Sequence, residues 1–321
     1  DGSSVRRAAE GNAGKQAKDI PRTMIVRSQP SFQDIIFTVH GSILPRIARR
    51  LAAIAVVSVI AILAAQAHPG IFARISTIPF TLIGIALSIF MSFRNNACYA
   101  RWWEGRQLWG ELIISARSFA RETSLLPDED RRALLHSICG FACGLTARLR
   151  GEDEIAAIAP WVDIVPATKS PNVTNLVLDR MGRRLLELKQ TGVITPIHYA
   201  VVAEDMRSFG KVQGACERIS TTPVPFAYSL LLHRTALIFC VMLPFALAGS
   251  LDWWTLLPVL LTAYTFFGLD ALGHELEDPF GVEPNCLPLY AMKRTIERDM
   301  LSLLGEEDLP PPLEPHKSVL S

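Results

Sequence analysis

The side chains best suited to chemistry in this 321-residue chain lie together, in the run Asp270-Ala-Leu-Gly-His274-Glu275-Leu-Glu277-Asp278. An acid and an imidazole four residues apart sit one helix turn apart, so Asp270 and His274 would share a helix face. Metal-assisted hydrolysis needs a third protein ligand and an open coordination position, and the sequence has no HExxH. A polar helix end emerging from an apolar run accounts for the same residues. His233-Arg234, also beside an apolar run, reads as a snorkelling anchor. The six cysteines, at 98, 139, 143, 216, 240 and 286, form no CxxC pair. They read as reduced thiols, with neither a disulfide framework nor a zinc knuckle. There is no Walker loop, no GxGxxG after a strand and no nucleophile elbow. We therefore expect no enzyme and no metal site.

What must position these residues is apolar. Half the chain is hydrophobic and 20% is charged, which excludes a disordered or disulfide-scaffold chain. The balance of 32 Lys+Arg against 31 Asp+Glu lacks the basic footprint of a nucleic-acid binder. The hydrophobicity is concentrated in four charge-free runs: residues 51–67, 75–93, 235–251 and 253–269. A bilayer core needs about 20 apolar residues in a helix, with a lower limit near 17. Four such runs in two close pairs predict four transmembrane helices in two hairpins, embedded in a lipid bilayer. Trp253 and Trp254 fall where an interfacial aromatic belt would put them. Arg46, Arg49 and Arg50 precede the first run, Arg94, Arg101 and Arg106 follow the second, and His233 and Arg234 precede the third. The short connections at 68–74 and 250–253 hold one Arg and no Lys. The positive-inside rule then puts both termini and the middle segment in the cytoplasm. No cleavable signal peptide is evident, because the first apolar run begins too far in.

Residues 94–234 are mixed and charged, and they predict a cytoplasmic helical domain. A helix continuing out of the second span should cover 94–124. Further helices are expected over 130–149, 172–191 and 196–218, with a Pro-rich loop over 151–171. Asp128, Glu129 and Asp130 suit a helix N-terminus. No period-2 strand pattern persists, so the fold class is all-α. Residues 1–23 read as a disordered tail or expression remnant, and 24–93 as an N-terminal segment with the first hairpin. Residues 235–269 form the second hairpin, 270–304 cytoplasmic helices, and 305–321 a tail, disordered or laid down as an extended strap around Pro310–Pro312.

The second run is unusual. Small or hydroxylated residues recur at Thr81, Gly84, Ser88 and Ser92, a spacing that predicts close helix packing. Ile85, Ile89 and Phe93 form a separate apolar stripe. Such a stripe is either ordinary packing or, if symmetry copies of the helix surround an axis, a hydrophobic constriction that gates by dewetting. Trp102, Trp103 and Trp109 just beyond it read as packing between helices or subunits.

The run Phe93-Arg94-Asn95-Asn96-Ala97-Cys98-Tyr99-Ala100-Arg101-Trp102-Trp103-Glu104, followed by Leu108-Trp109-Gly110, resembles the prokaryotic branch of the bestrophin family. Pro223-Val224-Pro225-Phe226-Ala227-Tyr228 resembles the family's segment entering the third span, and Asp278-Pro279-Phe280-Gly281 its motif after the fourth. The resemblance runs from about residue 27 to 304. It implies a homopentameric channel for small inorganic ions in the bacterial inner membrane. Its neck would be lined at the matching positions Ile85, Ile89 and Phe93, and its second, cytoplasmic constriction at Ile197. Animal members are calcium-activated through an acidic clasp. Here Glu275, Asp278 and Glu283 fall at or near liganding positions, but Cys286 stands where a carboxylate is expected. Calcium wants six to eight oxygens, so these positions read as vestigial and no cofactor is expected. Chloride or another anion is the implied ion, by resemblance to the animal members. A monovalent-cation channel on the same scaffold is the alternative, since residues 75–93 hold no charge to decide the sign. A secondary transporter is the remote alternative, for it would show internal repeats or ionisable residues inside the spans.

Overall fold

The computed structural model describes residues 24–25, 42–163, 170–314 and 319–320. The expected tail over 1–23 lies outside them. The chain divides into two units.

The apolar unit comprises residues 28–103 and 222–279. Helix α1 (Leu44–Ala67) has Pro45 in its first turn and takes in Arg46, Arg49 and Arg50, so it begins well before the charge-free run. A short helix α2 (Pro69–Phe72) leads to the long helix α3 (Ile78–Glu122), which begins at Ile78, with Pro79 in its first turn, rather than at residue 75. Proline in the first turn has no N–H to waste. Helix α8 (Phe226–Leu251) and helix α9 (Leu256–Glu277) carry the third and fourth runs. By length and composition Leu44–Ala67, Ile78–Glu122 and the stretch Phe226–Glu277 can each cross a bilayer. The last is two helices, broken by a 3₁₀ turn (Asp252–Thr255) that Asp252 enters with a φ of 47°. Asp252 accepts a 2.8 Å hydrogen bond from Gln66. Gly249 meets Phe72 so closely that a Cβ there would lie 3.0 Å from the Phe72 carbonyl oxygen.

α1 packs against α8 and α9. Ile54, Leu87, Met91, Phe239, Ala263 and Phe266 centre the core. Val56, Ile60, Leu82, Ile238, Leu257 and Leu261 point outward. Apolar side chains both inside and outside are what hydrocarbon, rather than water, selects.

The second unit comprises residues 1–27, 104–221 and 280–321. Its centre is helix α4 (Asp128–Arg150), buried almost continuously from Leu134 to Ala147. Around it lie helix α5 (Glu154–Ile158), helix α6 (Val173–Gln190), helix α7 (Pro196–Thr221) and helix α10 (Leu289–Leu303). α5 corrects the expectation of a plain loop over 151–171. Asp153 caps it by accepting from the backbone N–H of Ile155 and Ala156, which satisfies orphan donors in a helix too short to persist on periodicity. Asn172 caps α6 in the same way. The C-terminal segment is strapped down: Arg132 pairs with Glu306, and Arg294 and Arg298 donate to the carbonyls of Pro311 and Pro310. Strand β1 (Met24–Ile25) pairs antiparallel with strand β2 (Val319–Leu320), the one strand pairing among the described residues of an otherwise all-α chain.

A Cβ on Gly144 of α4 would stand 2.7 Å from both Ile158 and Thr174. Overpacking of that kind costs about 1–3 kcal/mol. Gly144→Ala should therefore lower the thermal unfolding midpoint in detergent, while Gly182→Ala on α6, with open space around its Cβ, should hold or raise it. Equal midpoints for the two variants would contradict this packing.

Candidate functional site

α3 has two unlike faces within the apolar unit. Leu87, Met91, Arg94 and Cys98, at helical spacing, are buried. Ile85, Ile89 and Phe93 are 55%, 50% and 61% exposed. Among the described residues the chain leaves this regular apolar stripe largely uncovered. Of the small-residue stripe, Gly84 packs within the chain, with its Cβ position 3.2 Å from the Phe239 ring. Thr81, Ser88 and Ser92 are exposed, and the hydroxyls of Thr81 and Ser88 bond back to the carbonyls of Thr77 and Gly84. Back-bonding satisfies a hydroxyl without a partner helix. Thr81, Gly84 and Ser88, together with Phe80 and Phe239, line an open groove of about 340 Å³.

Where α3 leaves the apolar region, its buried face turns polar. Asp270 of α9, 8% exposed, receives Arg94 at 3.2 Å, His233 of α8 at 2.8 Å and Arg50 of α1 at 3.3 Å. Arg94, 3% exposed, also reaches the Asp270 carbonyl at 3.3 Å and lies 3.6 Å from Glu277. Asn95 donates to the Leu269 carbonyl. Gly273 makes room for both, since a Cβ there would fall 2.5 Å from the Asn95 oxygen. Arg101 donates to the carbonyls of Glu277 and Thr222, and Tyr228 donates its hydroxyl to the Phe90 carbonyl. Three apolar helices are thus tied to α9 through one carboxylate.

This arrangement sharpens one expectation and corrects another. The polar helix end expected around Asp270 is there, with Asp270 the acceptor at the centre of a cationic cluster. His233 is not a lone snorkelling anchor but one of that acceptor's donors. Among the described residues no group of three or more His, Cys, Asp or Glu is placed to hold a metal. Glu275 is buried and paired with Arg46. Asp278 closes α9 in extended backbone. In the other unit the Glu283 carbonyl accepts from the N–H of buried Cys286 at 3.0 Å. Trp109 is fully buried in core, while Tyr99, Trp102 and Trp103 stack in series. Ile197, in the first turn of α7, is 80% exposed, with Val201 exposed one turn on. All six cysteines are buried and none is in a disulfide. Burial pushes the Cys143 and Cys216 thiols up to about 12, so neither is a nucleophile at neutral pH.

The family model described as Bacterial/Fungal Bestrophin protein matches residues 24–302. A Mesorhizobium japonicum protein named as a voltage-dependent anion channel-forming protein is 42% identical over 297 residues, covering 91% of this chain and 96% of its own. YneE of Escherichia coli, named in the same way, is 39% identical over 301 residues, covering 92% and 98%. The crystal structure of a bacterial bestrophin homolog from Klebsiella pneumoniae matches with a TM-score of 0.76 at 37% identity, covering 82% of this chain and 100% of that one.

Removing the central carboxylate would strand Arg94 in the packed interior, which costs about 3–5 kcal/mol for a broken buried pair. Asp270→Ala is expected to lower the detergent unfolding midpoint far more than Asp270→Asn, which keeps an acceptor for Arg94. A midpoint unmoved by Asp270→Ala would remove the cluster from its structural role.

Proposed function

We propose, given that this chain belongs to the family of bacterial and fungal bestrophins, that its exposed α3 stripe is the neck of an anion channel. The chain is a membrane ion-channel protein and not an enzyme. Five copies would surround one axis, with Ile85, Ile89 and Phe93 of each facing it. The observation that carries this reading is the asymmetry of α3. One face is buried by its own chain and the other holds a regular apolar stripe that the described residues leave open.

Each copy would span the membrane four times, as α1, the first half of α3, α8 and α9. The basic residues favour cytoplasmic termini. Arg46, Arg49, Arg50, Arg94, His233 and Arg234 belong to one end of the spans, and Arg74 is the sole cation beside the short connections. The open groove beside Thr81 and Gly84 suits the seat of a neighbouring copy, which would engage the hydroxylated stripe that the single chain leaves unused.

Conduction through such a neck follows from wetting. Apolar rings repel a continuous water column when narrow and admit it when they widen. A ring of Ile and Phe presents no fixed charge, so the neck is a gate and the sign of the ion is decided elsewhere. Ile197, exposed at the start of α7, would form the second constriction, on the cytoplasmic side. The relatives' names support anions as the conducted species. Glu275, Asp278 and Glu283 are read as vestiges of a calcium clasp. The Arg46 guanidinium beside Glu275 supplies the positive charge that a bound cation would bring.

Ile89→Ala should widen the middle ring and raise single-channel conductance severalfold in a planar bilayer. Under a KCl gradient the reversal potential should lie near the chloride equilibrium value. Unchanged current in Ile89→Ala would refute the neck, and reversal near the potassium potential would make this a cation channel on the same scaffold.

A further inference from the structure

The second unit contains a pair of acids placed as if to share a proton. Glu122 is the last residue of α3, and Asp205 lies in the third turn of α7. Their carboxyl groups are within hydrogen-bonding reach of each other. Glu122 Oε2 and Asp205 Oδ2 are both sealed from solvent, and neither accepts a hydrogen bond from any described residue. Two ionised carboxylates cannot satisfy one another, because each only accepts. One proton between them resolves both orphans at once.

The surrounding charges are few. From α3 the neighbours are Arg121 and Glu122 itself, and from α7 Glu204. Glu204 is already engaged by Arg207. His198 of α7 uses its ring Nε2 to donate to the Glu122 backbone carbonyl at 2.7 Å. The end of α3 is therefore held to α7 twice, once at the His198 ring and once at the acid pair. Ile197 is the neighbour of His198, and it lies eight residues, or about 12 Å of helix, from Asp205.

The geometry points to the Glu122–Asp205 pair as a proton-binding latch that holds the start of α7, and with it Ile197, against the end of α3. Its coupling to conduction rests on the reading of Ile197 as the cytoplasmic constriction. Burial first, and the facing Glu122 carboxylate second, push the Asp205 carboxyl up to about 7. That is above the value of an unfolded aspartate, so the protonated contact favours the folded arrangement on the acid side. The advantage shrinks as pH rises and is gone above about 7. Two like charges then face each other in a sealed space, and the start of α7 is released.

The test uses the full chain. Infrared difference spectra of the purified protein, titrated from about pH 5 to about pH 9, should show a protonated carboxyl lost with a midpoint near neutrality. That band should be missing in Asp205→Asn and in Glu122→Gln. In each of these variants an amide N–H replaces the shared proton. In bilayers the wild-type current should rise through the same midpoint, and both amide variants should stay at the wild-type's low-pH current throughout. His198→Gln, which keeps a donor for the Glu122 carbonyl, should leave the midpoint in place. No titrating carboxyl, or one that survives Asp205→Asn, overturns the proton site. A midpoint lost only in His198→Gln assigns the proton to the imidazole and also overturns it. A carboxyl that titrates as expected beneath a pH-independent current leaves the site standing and overturns its coupling to Ile197.

Discussion

The apolar unit depends on one carboxylate. Hydrocarbon does not drive apolar helices together, because lipid tails are as apolar as leucine. Close packing around Ile54, Met91 and Phe239 supplies contact but little direction. Asp270 supplies the direction. It sits on α9 and receives Arg50 from α1, Arg94 from α3 and His233 from α8. A charge that is costly to bury alone becomes a fixed point when every lone pair has a donor. The same cluster explains local choices that look arbitrary in isolation. Gly273 is small because Arg94 and Asn95 pass where its Cβ would be. Asn95, beside Arg94, adds a further tie from α3 to α9 by donating to the Leu269 carbonyl.

Anchoring α3 on one face frees the other. With Leu87, Met91, Arg94 and Cys98 committed inward, the helix is held in rotation, and Ile85, Ile89 and Phe93 are held facing out. A ring of symmetry-related helices can form a constriction only if each helix presents the same face. The rotational lock is therefore a precondition of a gate built from α3. It also accounts for the separation of roles along the helix, with paired ions behind and uncharged side chains in front.

How much of this was legible depends on the range of the forces. The four apolar runs could be read directly, because the cost of placing a side chain in hydrocarbon is largely local. Helix ends were less legible. α1 begins at Leu44, seven residues before the charge-free run, because long arginine side chains let an apolar helix extend beyond the hydrocarbon. α5 depends on a single cap at Asp153 rather than on periodicity. The Asp270 cluster was missed because its partners lie from 37 to 220 residues away in sequence. Its signal was present all the same. Arg50, Arg94 and His233 each border an apolar run on the side the charge rule assigns to the cytoplasm, and Asp270 is the acid that borders the fourth. The partner of Thr81, Ser88 and Ser92 was not legible for a different reason. Spacing identifies a face, but it does not say whether the chain's own helices or another copy's will cover it.

The cluster also bears on how the channel could choose an ion. Arg46, Arg50 and Arg94 would make the end of the spans strongly attractive to anions if they stood alone. They are matched by Asp270, Glu275 and Glu277, three guanidinia against three carboxylates, at distances of 2.5 to 3.6 Å. Opposite charges this close cancel at the range of a passing ion, and salt screens what remains within about 10 Å. These arginines therefore hold helices rather than select ions. Selection has to come from groups whose charge or dipole is not already answered by a neighbour. If Ile85, Ile89 and Phe93 line the neck as proposed, those groups lie beyond it, where the ion keeps part of its hydration and a modest field is enough to favour one sign.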